Sequence, residues 1–140
     1  QRRRVAIAGV LAMKPDILIL DEPTAGLDPR GRDEIFDEIS SLHHEKGYTV
    51  ILVSHSMEDV ARLVERIIVM NQGKVAITGT PSEVFAHSSE LKEMGLDVPQ
   101  ITNLMLALRY KGLDVPTDIY TVDQAKTVLK KILEGGSLNA

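Results

Sequence analysis

The 140-residue sequence has no cysteine, which rules out disulfides, thiol nucleophiles and thiolate metal sites and fits a cytosolic protein. It also lacks a large charge of either sign. With Lys and Arg at 16 against Asp and Glu at 20, the net charge of −4 gives no bulk attraction for nucleic acid. The one basic run, Arg2-Arg3-Arg4, reads as a solvated first helical turn rather than a phosphate-binding patch. No apolar stretch reaches the roughly 18 residues a membrane-spanning helix needs, and no signal peptide is recognisable, so membrane association is expected only through partners. His43, His44 and His87 have no metal-ligand spacing and read as solvated side chains in helical or linker contexts. Also missing is any glycine-rich loop ending in Gly-Lys-Ser/Thr, and nothing present would replace the backbone cradle such a loop makes for phosphates.

What is present is a folded α/β pattern. A hydrophobic content of 44% supports a real core, and the length fits one domain, or a truncated domain with an appendage. The stretch Ile17-Leu18-Ile19-Leu20-Asp21-Glu22-Pro23 sets four branched apolar residues before two carboxylates and a proline. Such a run reads as a parallel strand buried on both faces, with an acidic end opening into the crevice where α/β sheets bind ligands. Two carboxylates there imply a metal, a hydrogen-bond network or solvent access; the plainer reading is a strand followed by a polar turn.

A second strand, Tyr48 to Val53, ends in Ser54-His55-Ser56. Between the strands, Ile35, Phe36, Ile39 and Leu42 fall at helical spacing over 30–46, after an Asp28-Pro29 cap and before Gly47. Strand, helix and strand of these lengths form a parallel crossover, which puts both strand ends on one edge of the sheet. Asp21, Glu22 and His55 are therefore expected to converge.

The remaining elements follow by the same rules. Residues 4–13 predict a helix whose Ala6, Ala8, Gly9 and Ala12 allow close packing, stopped by Lys14-Pro15-Asp16. Ser56 with Asp59 predicts a cap and a short helix to about Leu63. Ile67–Met70 and Lys74–Thr78 predict a hairpin with a three-residue turn, Asn71-Gln72-Gly73. Thr80-Pro81-Ser82-Glu83 opens another helix. Two amphipathic helices are expected at 100–110 and 121–133, the second opened by Thr121 with Gln124 and closed by Gly135-Gly136. Their apolar stripes favour packing within the chain over packing on another subunit. Gly-Leu-Asp-Val-Pro occurs at Gly95–Pro99 and again at Gly112–Pro116, and both copies read as helix-stop turns rather than a solenoid repeat.

Leu20-Asp21-Glu22-Pro23-Thr24-Ala25-Gly26-Leu27-Asp28-Pro29 resembles the Walker B and D-loop segment of ATP-binding cassette (ABC) ATPases, and Ser54-His55 resembles their switch histidine. Ten contiguous positions followed by a second strand ending in His make this resemblance specific. Gln1, ahead of Arg2 to Ala8, resembles the last residue of the family's signature sequence. The resemblance implies ATP and Mg²⁺ as ligands. Asp21 would orient Mg²⁺, through coordinated water. Glu22, pointing to the other side of the strand end, would act as general base on the attacking water, and His55 would contact the γ-phosphate. Gln1 would belong to the nucleotide site, and Gly26, Leu27 and Asp28 to the loop that crosses the interface between paired ATPases. Asp28 reads equally as a helix cap, and the two roles are compatible.

A second resemblance covers the tail. Gly95 to Thr102, followed by a helix and Gly112, is similar to the C-terminal extension of energy-coupling factor transporter ATPases, the cobalt and vitamin importers, and Val5 to Met13 is similar to that group too. The expected fold class is α/β: the C-terminal part of a P-loop ABC ATPase domain, a parallel βαβ unit plus a β-hairpin, over residues 1–87, followed by a small helical extension over 88–140. The implied partners are a second ATPase, the same or a paralogue, a transmembrane coupling protein and a substrate-binding membrane subunit, with the ATPase peripheral on the cytoplasmic face and no nucleic acid. Because the phosphate loop, the glutamine loop and most of the signature are missing, the chain alone is expected to be inactive. Two other readings stay open: a soluble cassette ATPase of translation or DNA repair, and a non-enzymatic interaction module.

Overall fold

A parallel crossover and an antiparallel hairpin supply the sheets. The computed structural model describes residues 2–134, with side chains from residue 5. It divides into two compact units, Gln1–His55 and Ser56–Ala140. The first runs α1 (Arg2–Leu11), β1 (Ile17–Asp21), α2 (Pro29–His44) and β2 (Thr49–Val53). The second runs α3 (Met57–Leu63), β3 (Ile67–Asn71), β4 (Lys74–Gly79), α4 (Pro81–Ala86), α5 (Ser88–Glu93), α6 (Gln100–Tyr110) and α7 (Val122–Leu133).

In the first unit β1 and β2 pair in parallel, in register from Ile17 opposite Thr49 to Asp21 opposite Val53. The crossover helix α2 begins where Asp28 accepts the Gly31 N–H and Pro29 takes the first helical position. It ends at His44, and the chain then turns at Gly47, whose φ of +71° only glycine adopts freely. Its stripe Ile35, Phe36, Ile39 and Leu42 is buried, and so are Leu18 and Leu20 of β1. Strand alternation sends Ile17 and Ile19 to the opposite side, where they are 55% and 65% exposed. The expectation of a strand buried on both faces is thus corrected. One helix covers one face, and the β1–β2 sheet has only two strands among the described residues. The close packing expected of α1 is also absent: Ala6, Ala8, Gly9 and Ala12 are exposed, and a Cβ on Gly9 would meet nothing within 4 Å.

In the second unit the hairpin turn has two residues rather than three. Asn71 pairs with Lys74, leaving Gln72 and Gly73 as the turn, both at positive φ (49° and 73°). That pairing of left-handed residues matches the right-handed twist of the strands, which a longer loop does not require. Val60, Ala61, Val69, Val84, Phe85, Leu91 and Val98 form one core. The stripes of α6 and α7 meet in another, with Met105, Val115, Ile119 and Ala125 buried at its centre. The apolar faces of the tail thus pack within the chain.

Both Gly-Leu-Asp-Val-Pro copies end helices in the same way. Gly95 and Gly112 sit at φ +78° and +90°, and the following leucines donate back to Leu91 O (2.9 Å) and Leu108 O (3.1 Å). Val98 and Val115 are then driven into the cores, 2% and 1% exposed. The expected stop at Gly135-Gly136 lies outside the described residues.

Thr102 ties this unit together, since its buried hydroxyl donates to the Ile119 carbonyl at 2.7 Å. Replacing it with Val keeps the shape and leaves that carbonyl unpaired in the core. Thr102→Val is expected to cost about 1–3 kcal/mol in a denaturant titration. An unchanged midpoint would show that the bond adds nothing.

Candidate active site

The acidic end of β1 meets the end of β2 because parallel strands finish on the same edge. One step past β1, the Glu22 N–H donates to Val53 O at 2.8 Å, extending the ladder. Glu22 then takes φ +45°, a left-handed conformation rare for a residue with a side chain. Such a conformation costs on the order of 1–3 kcal/mol and persists where surrounding contacts over-determine it.

Here those contacts are on the carboxylate. Glu22 Oε1 accepts the His55 backbone N–H at 2.8 Å and lies 2.7 Å from His55 Nδ1, while Oε2 accepts the Ser54 hydroxyl at 3.4 Å. An ionised carboxylate only accepts, so Nδ1 carries the proton in this pair, and Nε2 is left to face other groups. The His55 side chain is 82% exposed and that of Glu22 31%, so the pair is open to solvent and to a ligand. Partial burial pushes the Glu22 carboxyl up, but the His55 ring and backbone hydrogen bonds, the imidazole charge and the Ser54 hydroxyl together outweigh it. The net effect is a carboxyl held below its ordinary value of 4.5.

The other candidate residues are placed as follows. Asp21 is exposed at the last position of β1, on the side opposite the buried Leu20. No group of three or more His, Cys, Asp or Glu side chains among the described residues could hold a metal alone. One exposed carboxylate nevertheless fits Mg²⁺, which keeps several waters and takes one or two carboxylates together with substrate phosphates. The loop after Glu22 turns tightly, with Ala25 N–H on Glu22 O (3.2 Å) and Leu27 N–H on Thr24 O (3.1 Å). Gly26 provides φ +71° in this turn. Asp28 is engaged as the cap of α2, 3.0 Å from the Gly31 N–H. Gln1 lies outside the described residues. The structure therefore joins Glu22 and His55, sets Asp21 beside them, and commits Asp28 to a cap. Ser54 was not among the residues expected at the site; its only sequence signal is its position before the histidine. Among the other histidines, His43 Nδ1 lies 3.0 Å from Tyr48 O and His87 pairs with Glu90 at 2.8 Å.

A cleft of 390 Å³ lies at the opposite ends of the strands, lined by Lys14, Pro15, Asp16, Lys46, Gly47 and Tyr48. It is on the wrong edge for a ligand of a parallel sheet, which binds beyond the carboxyl ends.

Glu83 and Asp97 are also held below their ordinary carboxyl values of 4.5 and 3.8. The Thr80 backbone N–H and hydroxyl act on the first, and the Val98 N–H and Asn103 amide on the second. A carboxyl with a depressed folded value contributes stability that is present above its unfolded value and is lost as pH falls through the folded one. The melting temperature is expected to be level from neutral pH to about 5 and to drop below about 4.5, with a shallower drop in Asp97→Asn. A melting temperature unchanged between pH 6 and 3 would contradict this.

An AAA-domain family profile, whose description also names the AbiEii toxin of Type IV toxin–antitoxin systems, matches residues 3–59, the segment running from α1 through β2 into α3. Among solved structures, the ATP-binding cassette MJ0796, a dimer in a post-hydrolysis state bound to ADP and phosphate, aligns with a TM-score of 0.52 and 36% identity. That alignment covers 57% of this chain and 34% of that one. The energy-coupling factor transporter ATP-binding protein EcfA2 of Clostridioides difficile (strain 630) is 57% identical over 139 residues, covering 99% of this chain and 48% of the relative. Over 99% of its length the chain is similar to the C-terminal half of an ABC ATPase. EcfA2 of Clostridium tetani is 55% identical over the same share of each chain, and EcfA1 of Caldanaerobacter subterraneus is 53% identical over 124 residues. The chain spans about half the length of the curated relatives it matches.

Proposed function

We propose that the chain is the C-terminal half of the ATP-hydrolysing subunit of an energy-coupling factor transporter, with residues 1–87 completing the nucleotide-binding domain and 88–140 forming a helical extension. The observation that carries the chemistry is the Glu22 carboxylate held by both the ring and the backbone of His55. Support for the transporter assignment comes from relatives named as energy-coupling factor ATP-binding proteins at 53–57% identity.

In this reading Asp21 and Glu22 are the Walker B pair. Asp21 would hold Mg²⁺, which would supply charge neutralisation at the transferring phosphoryl group. Glu22, kept ionised and aimed by His55 and Ser54, takes a proton from the attacking water. His55 has its Nδ1 proton committed to Glu22, which leaves Nε2 as the ring nitrogen that would contact the γ-phosphate. Gly26, Leu27 and Asp28 form the loop facing the paired ATPase, and Gln1 closes the signature sequence. The nucleotide does not fit this chain alone, because the 140 residues contain no phosphate cradle. Binding of ATP is assigned to the other half, and the isolated chain is inactive.

The partners are a second ATPase, the same or a paralogue, a transmembrane coupling protein and a substrate-binding membrane subunit. The cargo in this reading is cobalt or another micronutrient or vitamin. The location is peripheral, on the cytoplasmic face of the membrane. No helix among the described residues is long and apolar enough to cross a membrane. The test is purification of the tagged, intact ATPase from its own cells. Co-purification with an integral membrane protein, together with ATP-dependent uptake of cobalt or a vitamin into vesicles, is expected. Recovery with ribosomes or DNA, and no membrane partner, would favour a soluble cassette ATPase instead.

A further inference from the structure

Gly31, at the third helical position of α2, has no conformational reason to be glycine. It is absent from the residues with positive φ and lies within an unbroken helix, where glycine is disfavoured relative to alanine. Space is what requires it. A Cβ at this position would lie 2.8 Å from Asp28 Oδ1, and 3.5 Å and 3.8 Å from Leu27 Cβ and Cδ2. The same Asp28 Oδ1 accepts the Gly31 N–H at 3.0 Å. The loop leading out of the active site therefore folds back onto the bare Cα of Gly31, and a Cβ there would force the Asp28 carboxylate oxygen to shift from its present place against the helix.

We infer that Gly31 is a positioning residue for Asp28: the missing side chain lets one carboxylate oxygen lie against the helix N-terminus, which fixes the rotamer of Asp28 and the path of the loop residues Leu27 and Asp28. The catalytic consequence rests on the reading of Asp28 as part of the loop that meets the paired ATPase. The packing consequence does not.

Two measurements on the intact ATPase separate them. The first is a melting cycle. Gly31→Ala is expected to raise the melting temperature by about 3 °C in an Asp28→Gly background, the usual gain for alanine in a helix, and to lower it by about 3 °C when Asp28 is present. A rise in both backgrounds would overturn the proposal. The second is steady-state ATP hydrolysis with the partner subunits present. Gly31→Ala is expected to lower kcat about tenfold with KM for ATP unchanged, and to have no further effect once Asp28 is Ala. An equal loss in both backgrounds, or an unchanged kcat, would overturn the positioning role. If the unmutated protein hydrolyses no ATP, the functional reading fails, and the melting cycle alone still decides the packing claim.

Discussion

Replacing Glu22 with Gln is expected to lower ATP turnover by the intact, partnered ATPase by about 10²–10⁴-fold, the range lost when a general base is removed. Gln preserves the shape of the side chain and an oxygen to accept the His55 N–H, so the strand tip is expected to keep its geometry. It has no lone pair basic enough to take a proton from water. The loss therefore falls on kcat, while Mg-ATP binding is retained. His55→Ala removes the 2.7 Å ring contact but leaves the 2.8 Å backbone bond to Glu22, and so lowers turnover by less. The hydrogen bonds from His55 and Ser54 hold the Glu22 carboxyl below its ordinary value of 4.5, which favours the ionised form. Full turnover by Glu22→Gln would remove Glu22 from the chemistry.

The second large effect is expected on mixing this chain with the complementary N-terminal half of the same ATPase. Alone, the chain is expected to hydrolyse no ATP. With a half that carries the Gly-Lys-Ser/Thr loop, activity rises from background to a measurable rate, and the complex melts higher than either half. The physical basis is an unfinished sheet. Ile17, Ile19, Ile51 and Val53 stand 55%, 65%, 45% and 50% exposed, and β1 and β2 each have one unpaired edge among the described residues. Covering these side chains is worth roughly 1 kcal/mol each, and pairing the edges removes a template for aggregation. Comparison with the relatives points the same way, since the chain covers 48% of the Clostridioides difficile protein. A mixture that forms no complex, or a chain that turns over ATP alone, would contradict the proposal.

How much of this was legible in the sequence depended on whether the deciding physics is local. Helix ends are local. The span of α6 (Gln100–Tyr110), the capping box of Thr121 with Gln124 and the glycine stops at 95 and 112 follow from short-range hydrogen bonds that residue types announce. Convergence of Glu22 and His55 was also readable, because a parallel crossover leaves little choice about which strand ends share an edge. Burial of β1 was not. Four apolar residues in a row state that both faces tolerate burial, and whether both are covered depends on chain elsewhere. The turn at Gln72-Gly73 was missed because Asn71 suits either a strand end or a turn, and cross-strand register decides between them. The left-handed Glu22 and the hydroxyl of Ser54 are products of packing around one carboxylate, and neither has a periodic signal. Gly31 belongs to the same class, since a glycine inside a helix gives no hint of which neighbour needs the space.

The central claim is that this chain carries the group that activates water and lacks the part that holds the nucleotide. Calorimetric titration of Mg-ATP into the 140-residue chain, with its intact mass confirmed in the same sample, tests it most directly. No heat of binding is expected from the chain alone, and saturable binding is expected once the complementary half is added. Tight binding by the chain alone would contradict the claim and require a phosphate site built from residues with no glycine-rich loop.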